Sequence, residues 1–326
     1  MCCLYGILDY KKVLTAKQKN HLLYQLSIAC EERGTDATGI AYNRNGQMEI
    51  HKKPLPAHKF QKKIPKDVHV VMGHTRLTTQ GNEKFNYNNH PFHGRCGKTA
   101  FALAHNGILH NEQELREEFH LWETKIETDS YVAVQMIEKT GTFDIEAIRM
   151  MAENVEGSFC FTLLDSCNNL YLLKGDNPLT VYHCEEMGFY VYASTREILE
   201  TGLIRGGFGE FLYQEIKINM GDILILKNNG EIQKESFDTS KLEYNALPWF
   251  RYYGCRGVSK EFLQAGEKDC SYLECLIDYG MNVGVSEDEI LFLYENGFEE
   301  EDIELLLDSP EYLQECVAEI MGLEYA

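Results

Sequence analysis

The sequence contains no Cys-x-x-Cys pair, although 11 cysteines are spread through its 326 residues. Structural zinc sites draw most of their ligands from such pairs, so a structural zinc site is not expected. No basic region followed by a long apolar core opens the chain. A secretory leader is therefore not expected, and the irregularly spaced cysteines read as reduced thiols in a cytoplasmic setting. No apolar run reaches the length of about 20 residues that a membrane helix requires, so no membrane partner is expected. Residues 269–326 contain no Lys, Arg or His but 17 acidic residues. Residues 1–268 hold all 31 Lys and Arg against 34 acids, so the formal net charge of −20 belongs mainly to the tail. Such a tail repels nucleic-acid phosphate and anionic lipid, and neither is expected as a partner. It reads as a solvated acidic face, and with no histidine it is not where chemistry is placed.

What is present begins at the first residues. Met1 to Leu8 reads as a buried strand. Met1 precedes a small residue, so its removal is expected to leave Cys2 as the N-terminus. A thiol and an α-amine then share one residue. The amine, with a reference pKa of about 7.7–8.0, can act as a general base toward its own thiol. Taken alone, these residues favour an ordinary chain start. His90, His93 and Cys96 stand three apart and have the chemistry of metal ligands. With no source for further ligands, a polar loop is the favoured reading.

In order along the chain, Ala16 to Glu32 reads as an amphipathic helix capped by Thr15. Arg33 to Gly39 reads as a shaped turn before a strand at Ile40–Tyr42. The strand Val68–Met72 runs into Gly73-His74-Thr75-Arg76-Leu77-Thr78-Thr79-Gln80-Gly81. A guanidinium fork with neighbouring hydroxyls suits a carboxylate, and the bland alternative is a loop arginine paired with a surface acid. The strand Thr99–Ala104 ends in His105-Asn106-Gly107. An asparagine amide beside a glycine N–H can form an oxyanion hole, but Asn-Gly is also a common turn. Asp129 precedes the helix Tyr131–Ile137 and either caps it or holds an ammonium group. Strands are expected at Ser158–Leu164, Leu170–Leu173, Phe189–Ala193 and Asp222–Leu226, with a short helix after Ser194. Residues 1–238 thus read as one α+β domain of two antiparallel sheets with helices outside. Beyond Lys241, Pro248 to Tyr253 reads as an aromatic junction packed on that domain. Ser286 to Glu289 is a capping box, Gly297 closes its helix and Ser309-Pro310 opens another, so the C-terminal region is expected to be a small all-α bundle.

Five features now stand in order: an N-terminal cysteine, Arg-Gly-x-Asp-x-x-Gly, Gly-His-Thr-Arg, His-Asn-Gly-Ile and Glu-Thr-Asp. Together they resemble the glutaminase domain of class II glutamine amidotransferases, which are N-terminal nucleophile hydrolases. The resemblance covers about residues 2–238 and none of the acidic helical region 239–326. It implies a four-layer αββα sandwich acting on L-glutamine. It also implies Cys2 as nucleophile, with its α-amine as base, and Asn106 with the Gly107 N–H as oxyanion hole. Arg76 and Thr79 would hold the substrate carboxylate. Asp129, with the backbone around Gly107, would hold the ammonium, and Arg33 would support the N-terminal strand. No metal or organic cofactor is implied.

Three residues depart from the family pattern. Cys3 replaces a usual glycine and, pointing away from Cys2, reads as structural. Leu77 and Gln80 stand where tryptophan and histidine are common. The tail is too short for a sugar isomerase or phosphoribosyltransferase domain, and no Ser-Gly-Gly-x-Asp-Ser loop for ATP is found. The expected function is a glutaminase that supplies ammonia to a separate synthase partner. The alternatives are a free-standing amidohydrolase on a γ-glutamyl or related amide, and a catalytically weak glutamine-sensing module.

Overall fold

Strand β1, Cys3–Asp9, is buried at every position. Its alternate side chains serve two different layers. Cys3, Tyr5 and Ile7 pack toward helices, whereas Leu4 and Leu8 pack toward a second sheet. A strand covered on both faces has no polar face, which is why β1 is a continuous apolar run. The computed structural model describes residues 2–242 and parts of 273–317.

The chain divides into two compact units, Met1–Asn245 and Ala246–Ala326. In the first, helix α1 (Ala16–Ala29) starts at a capping box between Thr15 and Gln18 and gives way to a 3₁₀ turn at Cys30–Glu32. The strands that follow are β2 (Ala37–Arg44), β3 (Gln47–Lys53), β4 (Val70–Arg76), β5 (Phe92–Cys96) and β6 (Thr99–Leu109). Helices α2 (Glu112–Glu118), α3 (Tyr131–Thr140) and α4 (Ile145–Asn154) come next. The unit continues with β7 (Gly157–Asp165), β8 (Leu170–Lys174), β9 (Thr180–Cys184) and β10 (Phe189–Ala193). It ends with α5 (Arg196–Arg205), β11 (Gln214–Glu215), β12 (Asp222–Leu226) and β13 (Ile232–Ser236).

These strands form a seven-stranded sheet, ordered β11-β9-β10-β1-β4-β2-β3, and a six-stranded sheet, ordered β13-β12-β8-β7-β6-β5. Every strand pairing within them is antiparallel. Three apolar layers separate the elements. Leu22, Leu26, Ile198 and Leu203 of α1 and α5 pack on the first sheet with Tyr5 and Val71. Val132, Met136, Ile148 and Met151 of α3 and α4 pack on the second with Phe101 and Phe161. Leu4, Met72, Ala104, Leu164 and Leu224 fill the space between sheets. The architecture is therefore the αββα sandwich of two antiparallel sheets.

In the second unit, α6 (Glu287–Glu295) begins at the Ser286–Glu289 capping box. Gly297, just beyond it, adopts φ +90°. With α7 (Glu300–Leu307) it shares an apolar cluster of Leu276, Ile290, Leu293, Ile303 and Leu307. The expected aromatic junction at 248–253 and the helix start at 309–310 lie outside the described residues. Among the described residues, no helix is long and apolar enough to cross a membrane.

Candidate active site

Strands β1, β4 and β6 bring most of the candidate residues to one end of the sandwich. Cys3 pairs with Thr75 in the β1–β4 register, so Cys2 and Arg76 stand just beyond that pair at the same sheet end. The Cys2 Sγ lies 3.5 Å from the Leu77 carbonyl oxygen. The Arg33 Nε donates to the Cys2 carbonyl at 3.1 Å. Burial pushes the Cys2 thiol up to about 11, and the Arg76 charge offsets only part of that rise. The charge of Asp129 also reaches this thiol and acts to raise it. Cys3, by contrast, faces the helical layer, where its sulfur lies 2.9 Å from that of Cys30.

The Arg-Gly-x-Asp turn grips the exit of β4. A Cβ on Gly34 would come within 2.5 Å of the Arg76 carbonyl carbon, so only glycine permits this approach. The Asp36 N–H donates to Arg76 O at 2.9 Å, and the Asp36 carboxylate accepts the Thr78 N–H at 2.7 Å. Arg76 itself is buried. Its Nη1 donates to Asn89 Oδ1 at 2.7 Å, and its Nη2 donates to the Gln80 carbonyl and, at 3.3 Å, to that of Gly81. Burial lowers its pKa, with Cys2 and Asp129 acting in the opposite sense, and a guanidinium remains charged throughout. Thr79 is exposed in the loop beyond β4, whereas the neighbouring Thr78 hydroxyl is buried without a hydrogen-bond partner.

Asn106 is fully buried in β6, opposite Cys160 of β7. Neither its Nδ2 nor its Oδ1 has a hydrogen-bond partner. A buried amide left unpaired costs roughly 1–3 kcal/mol, so its retention calls for a role. Gly107 follows with φ +145°, and a Cβ there would lie 1.9 Å from Ser158 O. Asp129 is buried, and its Oδ2 accepts the Leu109 N–H at 2.7 Å. Its Oδ1 accepts from the Ser130 N–H at 2.8 Å and from Ser130 Oγ at 3.1 Å. The carboxylate thus faces the end of β6 rather than capping α3, whose N-terminus has no side-chain cap bond.

No motif pointed to the groups that hold Asp129 and Arg76. His105 Nδ1 lies 2.7 Å from Ser130 Oγ. Burial lowers the His105 pKa, so the ring is neutral. Asn89, seen in the sequence only as part of Asn-His-Pro, accepts from Arg76. His90 and Cys96 are buried, but His93 points out of the opposite face of β5. The three do not converge, and among the described residues no group of three or more His, Cys, Asp or Glu side chains could hold a metal ion.

A family model described as a glutamine amidotransferase domain matches residues 74–201. The span includes Arg76, Asn106, Gly107 and Asp129. The chain carries a glutamine amidotransferase domain. The glutamine–fructose-6-phosphate aminotransferase (isomerizing) of Sulfurisphaera tokodaii is 31% identical to it over 190 residues, covering 56% of this chain and 31% of the relative. The enzyme of the same name from Bacillus spizizenii is 28% identical over 259 residues, covering 75% and 42%. The amidotransferase chain therefore spans under half the length of either. The solved glutamine phosphoribosylpyrophosphate amidotransferase from B. subtilis, complexed with ADP and GMP, superposes with a TM-score of 0.56. That match covers 74% of this chain and 50% of the other at 21% identity, a likeness of fold.

Proposed function

We propose that residues 2–238 of this amidotransferase hydrolyse the side-chain amide of L-glutamine, with Cys2 as nucleophile. The supporting observation is the unpaired, buried amide of Asn106 beside Gly107, at the sandwich end that carries Cys2 and Arg76. A desolvated donor with no partner in the resting protein is suited to an oxyanion that exists only during reaction. With the thiol near 11, only about one molecule in ten thousand carries a thiolate at pH 7, so attack needs a base within reach. Removal of Met1 supplies one, the α-amine of Cys2.

In this reading Arg76, with Thr79, receives the substrate α-carboxylate and Asp129 its α-ammonium. The Cys2 sulfur bonds to the amide carbon as the amine takes the thiol proton. The oxyanion is held by Asn106 Nδ2 and the Gly107 N–H. The C–N bond breaks and ammonia leaves with the returned proton. Water then cleaves the thioester, giving glutamate and the free thiol. Arg33 holds the Cys2 carbonyl and so fixes the nucleophile without touching substrate.

The ammonia is passed to a separate synthase. A cytoplasmic setting agrees with the seven free cysteines among the described residues. Residues 239–326, which include α6 and α7, are given no part in the chemistry. The test is mass spectrometry of the purified protein before and after a glutamine-mimicking diazo ketone, with ammonia release assayed in parallel. One adduct on a terminal Cys2 is expected. Ammonia release from glutamine by Cys2→Ala protein would refute the assignment.

A further inference from the structure

Strand β3 lies at the end of the seven-stranded sheet, so one of its edges has no strand partner. Against that strand is a cavity of about 480 Å³, lined by Lys52, Lys53, Lys59, Lys62, Asn86 and His93 together with a few further residues. No Asp or Glu lines it. Acids outnumber bases in residues 1–268, 34 to 31, so a carboxylate-free wall with four lysines is a departure from the surrounding composition. Lys53, Lys59 and Lys62 are exposed, and no carboxylate among the described residues pairs with them. Ammonium groups gathered in one concavity repel each other unless an anion sits among them.

The back wall is fixed. Lys52 Nζ donates to Asn89 O at 2.5 Å and to Pro91 O at 3.0 Å and lies over the Phe92 ring, and burial pushes its pKa down to about 7. It is therefore part of the wall, and the charge comes from Lys53, Lys59 and Lys62. Asn86 Nδ2 donates to Lys52 O at 2.8 Å and ties the far wall to β3. Ile50 and Phe60 also line the cavity, each packed into a different apolar layer.

We propose that this cavity binds a small molecule through a phosphate group. Lysine ammonium groups are compact point charges, and several together suit a multiply charged tetrahedral oxyanion better than a planar carboxylate. The volume falls in the range of about 300–1,000 Å³ that holds small organic ligands, so a phosphate alone would not fill it. The uncharged part of the ligand then lies against the remaining lining, Gln61 and Asn86 included. The proposal does not depend on the proposed chemistry, although the back wall meets Asn89, which accepts from Arg76.

The test is isothermal titration of the full chain with inorganic pyrophosphate in about 0.15 M salt. It is repeated on the triple variant K53Q/K59Q/K62Q. Saturable one-to-one binding is expected for the native protein, with binding about tenfold weaker or worse in the variant. The ligand-free melting temperature should be the same in both. If the triple variant does not melt cooperatively, K53Q and K59Q alone decide the matter, each expected to weaken binding about two- to threefold. No saturable binding at millimolar pyrophosphate, or equal binding by native protein and variants, would overturn the proposal. So would tighter binding of hexaglutamate than of pyrophosphate, which would assign the cavity to a carboxylate-rich protein segment.

Discussion

The His74 Nε2 donates to the main-chain oxygen of His105 at 2.9 Å, and this bond joins the two sheets. His74 is two residues before Arg76 on β4, and His105 is one residue before Asn106 on β6. The contact therefore sets the distance between the proposed carboxylate anchor and the proposed oxyanion donor. Burial depresses His74 to about 3, so the ring is neutral and its Nε2 hydrogen is available to donate.

Replacing His74 with Leu keeps an apolar volume but leaves His105 O buried and unpaired. The expected cost is about 1–3 kcal/mol of stability, read from urea midpoints. KM for glutamine should rise more than kcat falls, because the anchor is displaced rather than removed. An unchanged KM would show that the intersheet bond does not set the site.

Acid should destabilise the first unit for a related reason. A histidine whose folded pKa lies near 3 and whose unfolded value is about 6.5 binds its proton more readily when unfolded. Its stabilising contribution is complete above 6.5 and is lost progressively as pH falls toward 3. His90 and His105 are shifted in the same direction by burial. From His74 alone the loss by pH 4 is at most about 3 kcal/mol. Unfolding curves at pH 7, 5.5 and 4.5 should show it, with a shallower slope in His74→Leu. A flat profile would contradict it.

Asn106→Ala separates catalysis from stability. Loss of one oxyanion donor should lower kcat by about a hundred- to a thousandfold, with little change in KM. The same change removes two unpaired buried polar atoms, so the melting temperature should hold or rise despite the small cavity left. A stable variant with near-normal turnover would remove Asn106 from the mechanism.

Gly107→Ala should do the opposite to stability. The φ of +145° and the Ser158 carbonyl 1.9 Å from the added carbon leave it no place without backbone movement. A loss of at least about 2 kcal/mol is expected, together with activity. A variant as stable as the native protein would mean that β6 and β7 can separate here at little cost.

Much of the fold was legible because its patterns are local. β1 reads as buried from its unbroken apolar run, and α1 from Thr15 and its leucine spacing. The candidate site residues stand out as motifs, each confined to a few consecutive positions. What holds them was not. The Ser130–His105 pair behind Asp129, the acceptance of Arg76 by Asn89, and the approach of Gly34 to β4 all join residues distant in sequence. No periodicity encodes those meetings; they follow from sheet order. The spacing of His90, His93 and Cys96 misleads for the same reason, since strand alternation in β5 sends His93 to the opposite face.

The Arg76 fork already has three oxygens on its two terminal nitrogens, from Asn89, Gln80 and Gly81. These bonds use three of the five guanidinium N–H groups, so a carboxylate gripping both terminal nitrogens must displace a neighbour. Recognition would then be a swap, in which the 80–81 peptide gives way as the newcomer settles. The idle protein keeps its strongest cation shielded from passing anions, and only a molecule matching several contacts at once could make that trade favourable.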